Sequence, residues 1–288
     1  MALNRNLGQA ARAKNDEFYT QLADIEKELI HYKSHFKGKI VYCNCDDPTV
    51  SNFFYYFSNN FEILGLQKLV TTCYKNRQRD LFSQHDVERA IKLEYDGFRK
   101  GDRMPNINDI GITKLEEDGD FRSPECIELL KQADVVVTNP PFSLFREYVA
   151  QLMEYKKKFI IIGNKNAITY KEFFPLIKEN KIWVGNTTMS RDLLFDIPED
   201  YACELVKNKK EGSSYKIVEG IVKGRSPSIW FTNLDNAKRN EDLILFKSYT
   251  PEEYPHYDNY DAIEVSKTKE IPKNWGGNGS SDHFSGQI

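Results

Sequence analysis

Asn139-Pro140-Pro141-Phe142 is the place in this 288-residue chain where residue types and spacing converge on a reaction. Two consecutive prolines remove two backbone N–H donors and fix φ, so the turn presents its carbonyl oxygens from a rigid frame. An asparagine side-chain oxygen and a proline-turn carbonyl can each accept a hydrogen bond from an exocyclic amino group. Such a group is then held with its nitrogen lone pair towards an electrophilic methyl group. Phe142 adds a face on which a planar base can stack. The four residues compose a clamp for a planar substrate that carries an amino group. An Asn-Pro-Pro run also serves as an ordinary strand-ending turn, so the position of the tetrapeptide decides between the two uses.

That position is set by the elements around it. DVVVTN (134–139) is a continuous β-branched run, as expected of a parallel strand covered on both faces. It is preceded by a helix that Ser123 caps and Pro124 opens, and it is followed by a helix over 143–155. Upstream, Leu22, Ile25, Leu29, Tyr32 and Phe36 recur at steps of three and four and predict a helix over 21–36. KIVYCNC (39–45) reads as a strand, and Phe53, Phe54, Phe57 and Phe61 share one face of the helix that follows. Further strands are predicted at 66–74, 90–97, 158–164 and 181–186, with a helix over 171–180. Strands alternating with helices predict an α/β fold with a doubly wound, mainly parallel sheet, whose ligands sit beyond the strands' carboxyl ends. Residues 75–117 are polar and rich in turn formers, and are read as an elaboration on that sheet.

The alternation stops near Ser190. Residues 1–186 are therefore assigned to the α/β domain, 187–275 to a second region with strands at 228–233 and 243–246, and 276–288 to an atypical tail. Charge is uneven along the chain. The net charge is −3, yet residues 151–250 hold seventeen Lys and Arg against thirteen Asp and Glu. Within 205–225, Lys207, Lys209, Lys210, Lys216, Lys223 and Arg225 face Glu211 and Glu219, a balance suited either to phosphate contacts or to a solvated face. A polybasic, histone-like binder is excluded by the overall balance. Hydrophobic residues at 40% and aromatics at 13% are ample for a packed core. The five cysteines are odd in number and scattered, unlike a disulfide framework, and Cys43 and Cys45 lack a second pair at zinc spacing, so no metal site is expected. No apolar run reaches the roughly 18 residues of a membrane span, and the N-terminus lacks a signal-peptide core, so a soluble cytoplasmic protein is expected.

Beyond the tetrapeptide, long segments carry a resemblance. NDEFYTQ (15–21), VYCNCDDPTVSNFF (41–54), GDFRSPECIELLKQADVVVTNPPFSLFREYVAQL (119–152), WFTNLD (230–235) and YDNYDAIEV (257–265) occur in order. Together they resemble the EcoRI-type adenine-specific N6 DNA methyltransferases, whose catalytic motif is (Asp/Asn/Ser)-Pro-Pro-(Tyr/Phe). The resemblance spans about residue 14 to 275. It implies a Rossmann-like methyltransferase fold, S-adenosylmethionine as cofactor, and methyl transfer to the N6 amino group of an adenine flipped out of double-stranded DNA. Asn139, Pro140, Pro141 and Phe142 would form the catalytic clamp. Phe18, Tyr19 and Thr20, Asp46 and Asp47, and Asp120 and Phe121 would contact the cofactor. One departure is that the first strand ends in Cys-Asn-Cys-Asp-Asp-Pro, without the glycine-rich turn of many methyltransferases.

DNA specificity would lie in residues 187–250, where Arg191, Arg225, Lys238 and Arg239 are candidate DNA contacts. The same tetrapeptide serves RNA adenines and protein glutamines, so these substrates remain rivals, as does a DNA-binding homologue that has lost catalysis. A monomer is expected, and any cognate restriction endonuclease would act independently. After Trp275 the sequence GGNGSSDHFSGQI departs from the family. A shifted reading frame from about Gly277, shortening the chain, is the expected cause, and sequencing the gene tests it.

Overall fold

In the computed structural model, the described residues are 19–45, 47–48, 51–73, 90–98, 110–187, 192–197, 199–208, 211–241, 244–255, 263–267 and 270–273. Phe18, Asp46, Arg191, most of the elaboration at 75–117 and the tail 276–288 lie outside them. Strands β2 (Ile40–Asn44), β3 (Lys68–Cys73), β6 (Val135–Thr138) and β7 (Lys158–Asn164) form the centre of an eight-stranded sheet. These four pair in parallel in the order β3-β2-β6-β7. Strands β4 (Ile91–Tyr95) and β5 (Thr113–Lys114) extend one edge, and β12 (Ser228–Thr232) and β8 (Trp183–Val184) extend the other, all antiparallel to their neighbours. The sheet is mixed, with a parallel heart.

Alternation along the central strands explains the layers. Val41, Cys43, Val135, Val137, Ile160 and Ile162 point to one face, where they pack with α1 (Leu22–Leu29), α2 (Asn52–Asn59) and α3 (Phe61–Leu64). Tyr42, Val136, Phe159 and Ile161 point to the other, against α4 (Pro124–Gln132), α5 (Phe145–Glu154) and α6 (Phe174–Lys178). Each fully buried aliphatic or aromatic side chain contributes roughly 1.5–3 kcal/mol. The helices that carry the site are capped as their sequences require. Ser51 Oγ accepts from Phe53 N at 3.2 Å, and Ser123 Oγ accepts from Cys126 N at 3.3 Å with Pro124 in the first turn.

A second, four-stranded sheet is antiparallel throughout, in the order β1-β9-β11-β10. It consists of β1 (Tyr19–Thr20), β9 (Leu193–Asp196), β10 (Tyr215–Val218) and β11 (Ile221–Ser226). The hairpin β10–β11 turns through Glu219 and Gly220, both at positive φ (50° and 81°), as a two-residue turn matched to strand twist demands.

Several expectations are refined. The helix over 21–36 is α-helical only to Leu29 and then tightens to a 3-10 helix over Ile30–His35. The helix over 171–180 shortens to Phe174–Lys178, and the strand over 181–186 to Trp183–Val184. The strand at 228–232 joins the main sheet beside β7. Residues 244–247 are not a strand, so the expected strand at 243–246 is corrected over its described part: its side chains at Ile244 and Phe246 are 71% and 76% exposed and have no sheet to bury them. The chain divides into two compact units, up to Leu234 and from Asp235. No helix among the described residues is long and apolar enough to cross a membrane.

Candidate active site

The tetrapeptide sits where the sequence places it, at the carboxyl end of β6. Asn139 is 7% exposed and Pro140 is buried. Pro141 and Phe142 are half-buried, and Phe142 packs against the core cluster of the α1–α2 face. A 3-10 turn, Phe142–Leu144, leads directly into α5. The clamp is thus held between a fully buried strand and a helix, which limits its freedom to move.

Beside it, β2 ends in Asn44, and a buried staple joins the two strand ends. Thr138 Oγ1 donates to the carbonyl oxygen of Asn44, and Tyr148 OH, on α5, donates to Asn44 Oδ1. Thr138 directly precedes the clamp, and Tyr148 lies on the helix that follows it. Burial pushes the Tyr148 phenol well above its usual range, so it remains a neutral donor. The next residue, Cys45, takes a left-handed φ of 80°, uncommon for a residue with a Cβ. Cys45 thus reaches, without a glycine, a backbone conformation that ordinarily favours one. Tyr148→Phe should leave Asn44 Oδ1 buried without that donor, at a cost of about 1–3 kcal/mol. A lowered urea midpoint with an unchanged m-value would bear this out, and an unchanged midpoint would refute it.

The segment expected to cover the cofactor lies at the other side of the same strand end. Asn52 Nδ2, at the start of α2, donates to the carbonyl of Thr20 at 2.8 Å. Asp47, in the turn between β2 and α2, accepts from Ser51 N at 2.8 Å through its carbonyl. Thr20 is 3% exposed, and its Oγ1 is buried with no hydrogen-bond partner among the described residues. A buried hydroxyl left without a partner fits a polar ligand bound between β1 and the start of α2.

Asp120 and Phe121 come before α4 and reach the site through Tyr148. The Phe121 and Tyr148 rings meet edge to face at 5.0 Å, and Gln151 Nε2 on α5 donates to the Phe121 carbonyl at 3.1 Å. Phe121 is itself 5% exposed, with the Arg122 guanidinium 5.2 Å from its ring centre. Both Asp120 oxygens are engaged by Arg122, at 2.9 Å from Nε and 2.7 Å from Nη2, and Arg122 also bonds Glu147 at 2.8 Å. Burial works to raise the Asp120 carboxyl, but the Arg122 hydrogen bonds and charge outweigh it and hold it below the usual carboxylate range. The depressed value means that its stabilisation is present above about pH 4, the unfolded value, and is lost as pH falls through the folded one. The stability difference between the protein and Asp120→Asn should therefore be largest near neutrality and vanish in acid. A difference constant with pH in chemical denaturation would contradict that assignment.

Of the candidate DNA contacts, Arg225 Nε donates to Asp192 at 2.9 Å and its Nη1 to the Gly212 carbonyl. Asp192 also receives Lys165 Nζ at 2.8 Å. Lys238 and Arg239 lie on the 3-10 helix Ala237–Asn240 of the second unit, where Arg239 N donates to Asn236 Oδ1 at 3.0 Å. Arg191 lies outside the described residues, as do Phe18 and Asp46. The structure thus brings together Asn44, Thr138, Asn139, Pro140 and Tyr148, and ties Asp120 and Phe121 to them. Motif reading missed Asn44, Thr138 and Tyr148. No sequence signal marked them, because Asn44 and Thr138 meet only through the pairing of β2 with β6, and Tyr148 is one of several inward-facing residues on its helix.

Comparison with known proteins points the same way. The profile described as adenine-specific methyltransferase EcoRI matches residues 6–280. The chain is 48% identical over 281 residues to the type II methyltransferase M.EcoRI of Escherichia coli, covering 96% of this chain and 83% of that protein. It is 38% identical to the type II methyltransferase M.MpnI of Mycoplasma pneumoniae, over 93% of this chain and 77% of that one. Against M.MgeORF184P of Mycoplasma genitalium, also a type II methyltransferase, it is 37% identical, with coverage of 94% and 79%. No solved structure gives a significant match.

Proposed function

Because the chain belongs to the EcoRI family of adenine-specific methyltransferases, we propose a site-specific reaction in which Asn139 and its proline turn present the N6 amino group of a flipped adenine to the methyl of S-adenosylmethionine. The protein is an adenine-specific DNA methyltransferase, with DNA as its substrate and a methyl donor as its second reactant. The sulfonium of the donor supplies an already activated methyl group. The chain's own work is then binding, orientation and stabilisation of the positive charge that develops on N6. Asn139 Oδ1 and the Pro140 carbonyl accept from the amino group, and Phe142 stacks on the base. Tyr19, Thr20, Asp47, Asp120 and Phe121, with Phe18 and Asp46, hold the donor. The unpartnered Thr20 hydroxyl is the observation that supports a polar ligand there.

The parallel heart of the sheet, covered by helices on both faces, supports a doubly wound, Rossmann-like arrangement with ligands at the carboxyl ends of β2 and β6. Residues 1–186 form the cofactor and catalytic region, and 187–275 the DNA-recognition region that completes the fold. Arg191, Arg225, Lys238 and Arg239 lie in the latter. The enzyme acts as a cytoplasmic monomer within or derived from a restriction-modification system, independently of any cognate endonuclease. The carrying observation is the tetrapeptide at the end of a buried central strand, stapled to the end of β2. The test is transfer of labelled methyl from S-adenosylmethionine to unmethylated duplex DNA, with nucleoside analysis of the product. N6-methyladenine is expected, and label in protein or RNA with none in DNA would refute the reading.

A further inference from the structure

We propose that the outward face of the four-stranded sheet is a docking surface for the phosphate backbone of duplex DNA, with Lys216 and Lys223 as its central contacts. The register of the sheet sets out that face. Lys216 pairs with Lys223, Lys223 falls opposite Asp196, and Asp196 pairs with Tyr19, so one row crosses all four strands. Alternation places Val218, Ile221, Arg225 and Leu194 on the same side. The opposite side carries Thr20, Phe195, Tyr215, Gly224 and Ser226, all buried, with Leu193 and Val222 half-buried and Ile217 exposed near the hairpin end. The sheet therefore packs mainly through that side, while the side with the lysines is more open, with Lys216 and Ile221 exposed and Lys223 half-buried beside Asp196.

Charge on this face exceeds what its acids can neutralise. Lys223 Nζ is bonded to Asp196, while Arg225 and Lys165 share the single carboxylate of Asp192. Lys216 is exposed and makes no ion pair among the described residues. Lys216, Lys223 and Arg225 on the sheet, with Lys165 reaching Asp192 from the turn after β7, thus stand against three acids, Asp192, Asp196 and Glu219. Two lysines directly opposite on adjacent strands repel each other, an arrangement that disfavours the sheet in isolation and is relieved by an anion lying across both. A line of phosphates is such an anion, and a two-stranded ribbon has the breadth to follow a DNA groove. Because Tyr19 stands at the end of the same row, DNA on this face would lie on the sheet that the cofactor segment joins as an edge strand. The inference rests on the reading of the chain as a DNA methyltransferase, and it assigns a DNA-contact role to Lys216 and Lys223.

The test measures binding of the full chain to a fluorescent duplex over a series of salt concentrations, for the wild type, Lys216→Ala, Lys216→Arg and Lys223→Ala. For Lys216→Ala the expected result is affinity lower by about three- to tenfold on specific and unrelated duplexes alike, with the salt slope reduced by about 0.9. Lys216→Arg should restore both, and S-adenosylmethionine affinity and Tm should not fall. Lys223→Ala provides a second reading of the slope. Unchanged slopes in both folded alanine variants would overturn the proposal, as would a loss restricted to one DNA sequence. Loss of affinity for an acidic protein surface instead of for DNA would also overturn it. Wild-type methylation of adenine is scored separately, so failure of the enzymatic reading is distinguished from failure of the docking surface.

Discussion

Asn139→Ala is expected to lower the rate of methyl transfer by about 10²- to 10⁴-fold, with the chain still folded and still able to bind the methyl donor. The size follows from what the side chain would do. An exocyclic amine on an aromatic ring is a poor nucleophile because its lone pair is delocalised into the ring. An acceptor fixed on each N–H turns that lone pair out of the plane and stabilises the charge that develops as the new bond forms. Asn139 is 7% exposed and follows Thr138, whose hydroxyl is anchored to Asn44, so its position is defined before substrate arrives. Alanine removes one of the two acceptors and leaves the amino group free to rotate. Asn139→Asp keeps an acceptor oxygen at the same place, and should retain activity within about tenfold. Single-turnover transfer to duplex DNA, with Tm and donor binding as controls, checks both variants. An alanine variant within threefold of the wild type would remove Asn139 from the catalytic role.

The clamp could be read from sequence because its physics is local. Two prolines after a β-branched run fix both the strand and the turn with no reference to the rest of the chain. The same holds for the central strands, where DVVVTN and KFIIIGN have no polar face to place in water. The staple was not legible, since Thr138, Asn44 and Tyr148 meet only once β2 and β6 are paired in register. Nor was the partner of Ser228–Thr232, because an apolar run has the same pattern on either side of a domain boundary. The small sheet is the clearest case. Tyr19 and Thr20 were legible as a motif, but a two-residue strand has no periodicity, and its pairing with β9 bridges more than 170 residues of chain. The hairpin Tyr215–Val218 to Ile221–Ser226 was only half legible, since Gly220 suits its turn but Glu219 takes a positive φ that its residue type does not announce.

The largest effect on stability is expected at Glu28, a carboxylate with 0% exposure on α1. Its oxygens accept from Tyr32 OH at 2.9 Å, Asn186 N at 2.6 Å and Thr187 N at 2.7 Å. Two of those donors are backbone groups of the turn after β8, so one helical side chain satisfies a loop more than 150 residues away. The fit leaves no slack, because a Cβ on Gly185 would lie 2.5 Å from Glu28 Oε1 and 2.5 Å from the Trp230 Cβ. Glu28→Ala takes the carboxylate from two buried donors, Tyr32 OH and Asn186 N, and from the half-buried Thr187 N, and should cost about 3–5 kcal/mol. That is a large part of the roughly 5–15 kcal/mol that holds a typical domain together. Glu28→Gln can keep its oxygen on Tyr32 OH and Asn186 N but then turns its NH2 group towards the Thr187 N–H, so it should recover only part of the loss. Urea unfolding gives the number, and a loss below about 1 kcal/mol would show that water replaces the carboxylate. The consequence extends past stability. Asn186 and Thr187 begin the segment that leads to β9, and β9 holds β1 in the small sheet. Near the midpoint of unfolding, the alanine variant should therefore lose DNA and methyl-donor binding together with the turn that Glu28 holds.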